Sequence, residues 1–182
     1  MEPCELCPRR CRVDRVNRLG FCGAEENLRV ALVSLHKWEE PCLVGERGAG
    51  TIFFSHCNLK CVYCQNFSIS HEGFGEKISV ERLAEIFIEQ QNRGAANIEL
   101  VTPTHYAEKI CAAIDLAKSF GLRLPIVWNS NAYENISTLE LLRGRVDIFF
   151  ARLKIFRRRG GKNFFSRAEL FFRRHRRDKK NV

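Results

Sequence analysis

The chain has 182 residues, enough for one domain with a sizeable core and a small additional module. It contains neither the ~18 consecutive apolar residues of a membrane span nor, in MEPCELCPRR, the hydrophobic region of a signal peptide, so we expect a cytoplasmic protein. The net charge of +9 is localised: residues 151–182 carry 13 Lys and Arg against 2 Asp and Glu, whereas the first 150 residues are close to neutral.

Two groups account for most of the nine cysteines. The first group, in CELCPRRCRVDRVNRLGFC, consists of Cys4, Cys7, Cys11 and Cys22. Such close spacing is more typical of metal ligation in a reducing compartment than of disulfides. It suits a zinc site or an auxiliary iron–sulfur cluster, with free cysteines as the third alternative. We predict a metal-binding module over residues 1–30 and expect the isolated Cys42 and Cys111 to be small buried side chains.

The second group follows a predicted strand. Residues 51–54 form an apolar run with β-branched and aromatic side chains, typical of a short buried strand. The loop after it carries Cys57, Cys61 and Cys64 with the spacing C-x3-C-x2-C. Soft thiolates favour zinc, copper(I) or an iron–sulfur cluster, and three protein ligands leave one coordination position open for chemistry. A zinc site built on these cysteines is the alternative.

The rest of the chain alternates helices with strands. Ser79 is placed to cap a helix that starts at Val80, and two further helices are predicted over residues 105–120 and 134–142. The predicted strands are a pair of β-rich runs within residues 27–54, followed by residues 97–101, 124–128 and 146–150. This alternation predicts an α/β fold of parallel βαβ units with right-handed crossovers.

The sequence motifs around the second cysteine group resemble those of a known family. TIFFSHCNLKCVYC contains C-x3-C-x-aromatic-C, with Tyr63 as the aromatic residue, and it lies between HKWEEPCLVGERGAG and LVTPTHY. These words resemble the radical S-adenosylmethionine (SAM) enzymes, in particular the uncharacterised branch related to the activating enzymes of pyruvate formate-lyase. The resemblance covers about residues 1–150. It implies an incomplete radical SAM (βα) barrel with parallel strands, the first four βα units over residues 31–150, after the Cys-rich module.

The resemblance also implies a function. Cys57, Cys61 and Cys64 would hold a four-iron four-sulfur cluster that binds SAM, and reductive cleavage of SAM would give a 5′-deoxyadenosyl radical for hydrogen abstraction. The implied cofactor contacts are Tyr63, Thr102, Thr104, Asn129 and Ser130. The sequence departs from the family pattern here, because it reads VTPTHY where many members have a Gly-Gly-Glu word. For His105, packing at a helix start and a role near the substrate both stay open.

The implied partners are a reductant such as flavodoxin or ferredoxin and a protein substrate of the glycyl radical enzyme kind. We expect no membrane partner and no specific nucleic acid. The alternative function is a non-catalytic module with zinc and a basic tail that binds nucleic acid, because aromatic residues alternate with basic ones after residue 150.

The family pattern breaks after residue 150. The resembled branch continues its fourth strand with an L-P-D-(apolar)-K-Y word, whereas this chain reads FARLKIFRRRGG. Codons that encode ARLKIFRRRGG read PDLKYFDEEV when they are shifted by one base. We therefore predict a one-base insertion near the codons of Phe149 and Phe150, an aberrant and irregular basic tail over residues 151–182, and an exposed sheet edge at residues 146–150. An inactive frameshifted fragment is the third alternative.

Overall fold

The structure is a computed structural model, and it describes residues 3–152. Six strands form one sheet, and helices separate most of them along the chain. The strands are β1 (Leu28–His36), β2 (Ala49–Phe54), β3 (Glu76–Ile78), β4 (Ile98–Val101), β5 (Ile126–Ser130) and β6 (Ile148–Ala151). The predicted α/β class is confirmed. The predictions for the tail from residue 153 onward lie outside the described residues.

The sheet is mixed, which corrects the expectation of parallel strands. The strand order is β3-β1-β2-β4-β5-β6. Pairing is parallel from β2 through β4 and β5 to β6, but β1 runs antiparallel to both β2 and β3. The connection from β1 to β2 holds only the single-turn helix α1 (Pro41–Val44), whereas parallel neighbours are usually joined by a full crossover helix. Over the described residues the sheet is not closed into a barrel.

Three helices occur where apolar spacing predicts them: α3 (Val80–Asn92), α4 (Ala107–Ser119) and α5 (Ile136–Leu142). Ser79 caps α3 by accepting a 3.1 Å hydrogen bond from the backbone N–H of Arg82, as predicted. Helix α4 begins later than expected because a 3₁₀ turn at Thr104–Tyr106 precedes it. The one-turn helix α2 (Phe67–Ser70) follows the second cysteine group and has no signal in the sequence pattern.

One face of the sheet holds the hydrophobic core. Ile52 and Trp128 from the strands belong to one buried cluster with Phe87 of α3 and other residues of α3 and α4. Side chains alternate along a strand, so Thr51 and its register partner Glu99 fall on the opposite face. The sheet therefore has an apolar face under the helices and a face that carries polar groups.

The Cys-rich segment lies in the same compact unit as the sheet, and that unit ends at Arg152. The backbone carbonyl of Leu6 accepts a 2.7 Å hydrogen bond from Thr138 Oγ1 of α5. The carbonyl of Glu5 accepts another from Asn135 Nδ2, just before α5. These bonds hold the start of the segment against the C-terminal part of the described chain.

Strand β6 forms an edge of the sheet as far as the described residues go, since β5 is its one neighbour there. Ile148 on this strand is 39% exposed. An exposed apolar edge of this kind agrees with the sequence-based expectation for residues 146–150. No helix within residues 3–152 is long and apolar enough to cross a membrane.

Candidate metal centre

The second cysteine group lies on the loop that leaves the carboxyl end of β2. Cys57 is buried, Cys61 and Cys64 are partly buried, and all three are reduced. The loop turns tightly because His56 and Lys60 adopt left-handed backbone conformations, with φ of 71° and 48°. The carboxyl ends of parallel strands are the usual location of active sites in α/β proteins. The three soft ligands therefore lie at the edge of the sheet where active sites usually occur.

Hydrogen-bond donors face two of these sulfurs. The Sγ atom of Cys57 accepts from the backbone N–H of Leu59 at 3.4 Å and from Asn131 Nδ2 at 3.6 Å. The Sγ atom of Cys64 accepts from Ser70 Oγ at 3.3 Å. Each of these bonds orients a side chain whose sulfur can act as a metal ligand.

Tyr63 lies beside Cys61 and is 51% exposed. Its pKa is raised, first by desolvation and then by the charge of Cys61 and a hydrogen bond with it. The structure thus places this predicted cofactor-binding residue next to a predicted cluster ligand.

Asn58 joins the cysteine loop to the turn after β5. It is fully buried, and its Nδ2 donates to the Tyr133 carbonyl at 2.8 Å. Its Oδ1 accepts from Asn131 Nδ2, also at 2.8 Å. Its backbone carbonyl accepts from Arg9 Nε of the Cys-rich segment at 2.9 Å. Sequence reasoning missed Asn58, although an amide between two cysteines was the available signal.

The other predicted cofactor-binding residues mostly serve the strand ends themselves. Thr102 has a φ of 57°, and its backbone N–H donates to the carbonyl of Asn129 at 2.9 Å. Thr104 Oγ1 donates to Glu134 Oε1 at 2.7 Å and is buried. Ser130 Oγ accepts from the N–H of Ala132 at 3.1 Å. These bonds fix the loops after β4 and β5.

A buried carboxylate lies on the polar face of the sheet. Glu99 is fully buried, and its two oxygens accept hydrogen bonds from Thr51 Oγ1 at 3.2 Å and Asn129 Nδ2 at 2.6 Å. Burial raises the pKa of Glu99, and the nearby charge of Glu39 adds to the shift, while Arg152 opposes it. Sequence reasoning missed Glu99; its signal was one acidic residue inside the otherwise apolar word IELV.

The first cysteine group lines a small cavity. Its walls include Cys4, Cys7, Cys11 and Cys22 together with Asn58 and His105. Burial raises the pKa of the Cys7 and Cys22 thiols. The two cysteine groups therefore meet at Asn58, which contacts both.

The lone cysteines differ from each other. Cys111 is buried as expected, but Cys42 is exposed, so the prediction for Cys42 is wrong. Cys42 lies in the one-turn helix α1, where too few residues surround it to cover its side chain. It offers a solvent-accessible thiol away from both cysteine groups in the sequence.

No three Cys, His, Asp or Glu side chains of residues 3–152 are already arranged to hold one ion. An ion at either cysteine group would therefore have to draw the thiols together by rotation of their side chains. Cysteine has a single such torsion with three staggered states. The donor chemistry fits a thiophilic metal at both groups.

The chain is similar to an uncharacterised protein of Methanocaldococcus jannaschii, with 33% identity over 160 residues. The matched region is 83% of this chain but 45% of the relative, so the chain spans less than half the length of that protein. No family model matches the chain. No solved structure matches it either.

Proposed function

We propose that the chain carries the cluster-binding half of a radical SAM enzyme, in which Cys57, Cys61 and Cys64 hold a four-iron four-sulfur cluster. The observation that carries this proposal is the placement of three reduced thiols, spaced C-x3-C-x2-C, on the loop at the carboxyl end of β2. Strands β2, β4, β5 and β6 are then the first four strands of an incomplete barrel. When bound, the cluster supplies the electron for reductive cleavage of SAM and so for hydrogen abstraction from a substrate.

The residues around the loop have the properties that this function needs. Leu59 and Asn131 donate to Cys57, and Ser70 donates to Cys64, so hydrogen bonds already orient two of the three cluster ligands. Asn58 is buried and holds the loop against the turn after β5. A site held by buried hydrogen bonds keeps its ligands oriented and limits the access of water.

The proposed SAM contacts are Tyr63, Thr102, Thr104, Asn129 and Ser130. Tyr63 has the strongest support, because half of its surface is open beside Cys61. Asn129 and Thr104 already donate to Glu99 and Glu134, so each would have to exchange that bond for one to SAM. Thr102 and Ser130 lie at the ends of β4 and β5, from which they would contact SAM.

Exposed apolar side chains surround the same loop. Val62 is 86% exposed and Phe74 is 65% exposed, and Phe67 lies between them in the chain with its ring stacked on His71. Apolar side chains exposed together are typical of protein interaction sites. They support a protein reductant such as flavodoxin or ferredoxin, or a protein substrate of the glycyl radical enzyme kind, that approaches the cluster in the cytoplasm.

The proposal is tested by SAM cleavage. We would reconstitute the full chain with iron and sulfide under anaerobic conditions, reduce it, add SAM and measure 5′-deoxyadenosine and methionine by mass spectrometry. Cys61→Ala should abolish both products, because it removes a cluster ligand. Cys42→Ala is the matched control, since it removes an exposed thiol outside both cysteine groups, and it should leave product formation unchanged. Absence of product from the wild-type chain, or equal product from both variants, would contradict the proposal.

A further inference from the structure

The cavity of the first cysteine group has a backbone frame of its own. The N–H of Cys4 donates to the carbonyl of Val13, and the N–H of Arg12 donates back to the carbonyl of Cys4, both at 3.0 Å. These bonds close a loop that carries the first three cysteines of the group. A turn from Gly20 to Gly23 adds the fourth, through a bond from the N–H of Gly23 to the carbonyl of Gly20 at 3.1 Å.

Gly20 lets the two parts of this frame meet. A Cβ atom at Gly20 would lie 3.1 Å from both Cβ and Sγ of Cys11, so a larger residue would push the turn away. The absence of a side chain at this position brings Cys22, two residues further on, towards the other three thiols. Close approach of backbone to a binding group is a common use of glycine.

Hydrogen-bond donors and basic residues lie around the thiols. Cys11 Sγ accepts a hydrogen bond from the N–H of Phe21, and Cys22 Sγ accepts one from the N–H of Ala24, each at 3.4 Å. Three basic residues, Arg9, Arg10 and Arg15, also line the cavity. Thiolates bound to a divalent ion keep a net negative charge, which these cations and N–H groups can offset.

His105 supplies a fifth donor. Its side chain is 3% exposed, and its Nε2 lies 2.7 Å from the carbonyl oxygen of Ser55. A carbonyl can only accept, so Nε2 carries the proton and Nδ1 of the neutral ring keeps a free lone pair. Nδ1 is buried and has no hydrogen-bond partner, although the residue lines the thiol cavity. An imidazole that donates one N–H to a carbonyl and leaves the other nitrogen bare is the usual arrangement of a metal-ligating histidine.

We propose that this cavity is a mononuclear zinc site whose four ligands are the thiolates of Cys11, of Cys22 and of either Cys4 or Cys7, together with Nδ1 of His105. Zinc prefers a tetrahedral set of thiolates and imidazole. The cavity volume is about 10 Å³, which is about the space of a single water-sized sphere. A single metal ion is small enough for this space. The inference does not depend on the proposed radical chemistry.

The zinc site would also position the second cysteine group. Asn58, which hydrogen-bonds with the Cys7 thiol, follows Cys57 directly, and His105 bonds to Ser55 at the start of the cysteine loop. Both ends of the loop's first turn are thus fixed by residues that line the zinc cavity. Loss of zinc should loosen this turn even though none of its residues would be a zinc ligand.

Metal analysis of the full chain tests the proposal. The protein, expressed with zinc present and purified without added iron, should hold one zinc per chain. Serine substitution at Cys11 or at Cys22 should remove it, whereas Cys42→Ser and Cys64→Ser should retain it. Replacement of zinc by cobalt should give the strong absorption of tetrahedral cobalt with thiolate ligands. The proposal would be overturned by iron and sulfide in this group or by disulfides among its cysteines. It would also be overturned if two or more single serine variants of the group retained zinc fully.

Two further measurements cover the case in which a cysteine variant fails to fold. In the wild-type chain, zinc should protect Cys11, Cys22 and at least one of Cys4 and Cys7 from alkylation, and a chelator should expose them, while Cys42 reacts in both states. Equal reactivity with and without zinc would overturn the proposal. His105→Gln should weaken zinc binding at least ~10-fold, and the matched control His36→Gln should not. If zinc protected Cys57, Cys61 and Cys64 from alkylation instead, the zinc assignment would be refuted. If zinc protected the first cysteine group but the chain did not cleave SAM, only the proposed function would be refuted.

Discussion

Asn58 gives the sharpest test of how the cysteine loop is held. Asn58→Ala removes the donor to the Tyr133 carbonyl and the acceptor for Asn131 Nδ2. Each buried group left without a partner costs ~1–3 kcal/mol. Asn131 Nδ2 keeps its longer bond to Cys57 Sγ, so it is not left wholly without a partner. We therefore expect the free energy of unfolding to fall by ~2–4 kcal/mol in total, less than the sum of the separate costs. With a urea m-value of ~2 kcal/mol/M, the midpoint of unfolding should fall by ~1–2 M.

Urea denaturation of the full chain, followed by circular dichroism, measures this loss. Asn66→Ala is the matched control, because Asn66 is exposed and makes no side-chain capping bond to α2, and it should stay within ~0.5 kcal/mol of the wild type. Asn58→Asp keeps the acceptor for Asn131 but sets a carboxylate oxygen against the Tyr133 carbonyl, so it should also destabilise the fold. A change of less than ~0.5 kcal/mol for Asn58→Ala would show that the Asn58 side chain does not hold the loop.

Three other predictions concern the sheet and its helices. The pKa of Glu99 in the folded protein lies above its unfolded value, so its contribution to stability is present at low pH and is lost as pH rises through the folded pKa. Glu99→Gln removes the titrating group, so the free energy of unfolding of the variant, compared with that of the wild type, should be higher at neutral pH than at acidic pH. Urea titrations in which the variant and the wild type show the same pH dependence would contradict this. Ser79→Ala should cost ~1 kcal/mol by loss of the α3 cap, measured by thermal unfolding, and no loss would show that the cap is replaced by water. Ile148→Lys should reduce self-association in sedimentation experiments, because it places a charge on an exposed apolar edge; unchanged association would mean that β6 is not the contact.

The elements with strong local signals could be predicted from the sequence. Helix α3 has a capping serine and apolar residues at helical spacing, and β2 has a continuous apolar run. Strand β3 has only three residues, two of them exposed, and forms through pairing with Leu28–Val30 far away in the chain. The direction of β1 likewise depends on a partner, so the residue pattern alone could not supply it.

The candidate site, like the fold, has parts that local sequence patterns predict and parts that depend on residues distant in the chain. Cysteine spacing is a local signal, and it is sufficient to identify both cysteine groups from the sequence alone. The roles of Asn58, Glu99 and His105 come from partners 30 or more residues distant in the chain. A polar residue in a loop or strand does not reveal whether its partner is water, another side chain or a ligand, so tertiary contacts had to decide these roles.

Electron paramagnetic resonance can show whether Cys57, Cys61 and Cys64 hold a cluster that binds SAM, as we propose. The full chain would be reconstituted anaerobically, reduced and measured with and without SAM. We expect a four-iron four-sulfur signal that changes when SAM is added and disappears in Cys61→Ala, with Cys42→Ala unaffected. A colourless protein with zinc on the second cysteine group, or a cluster signal that does not respond to SAM, would contradict it.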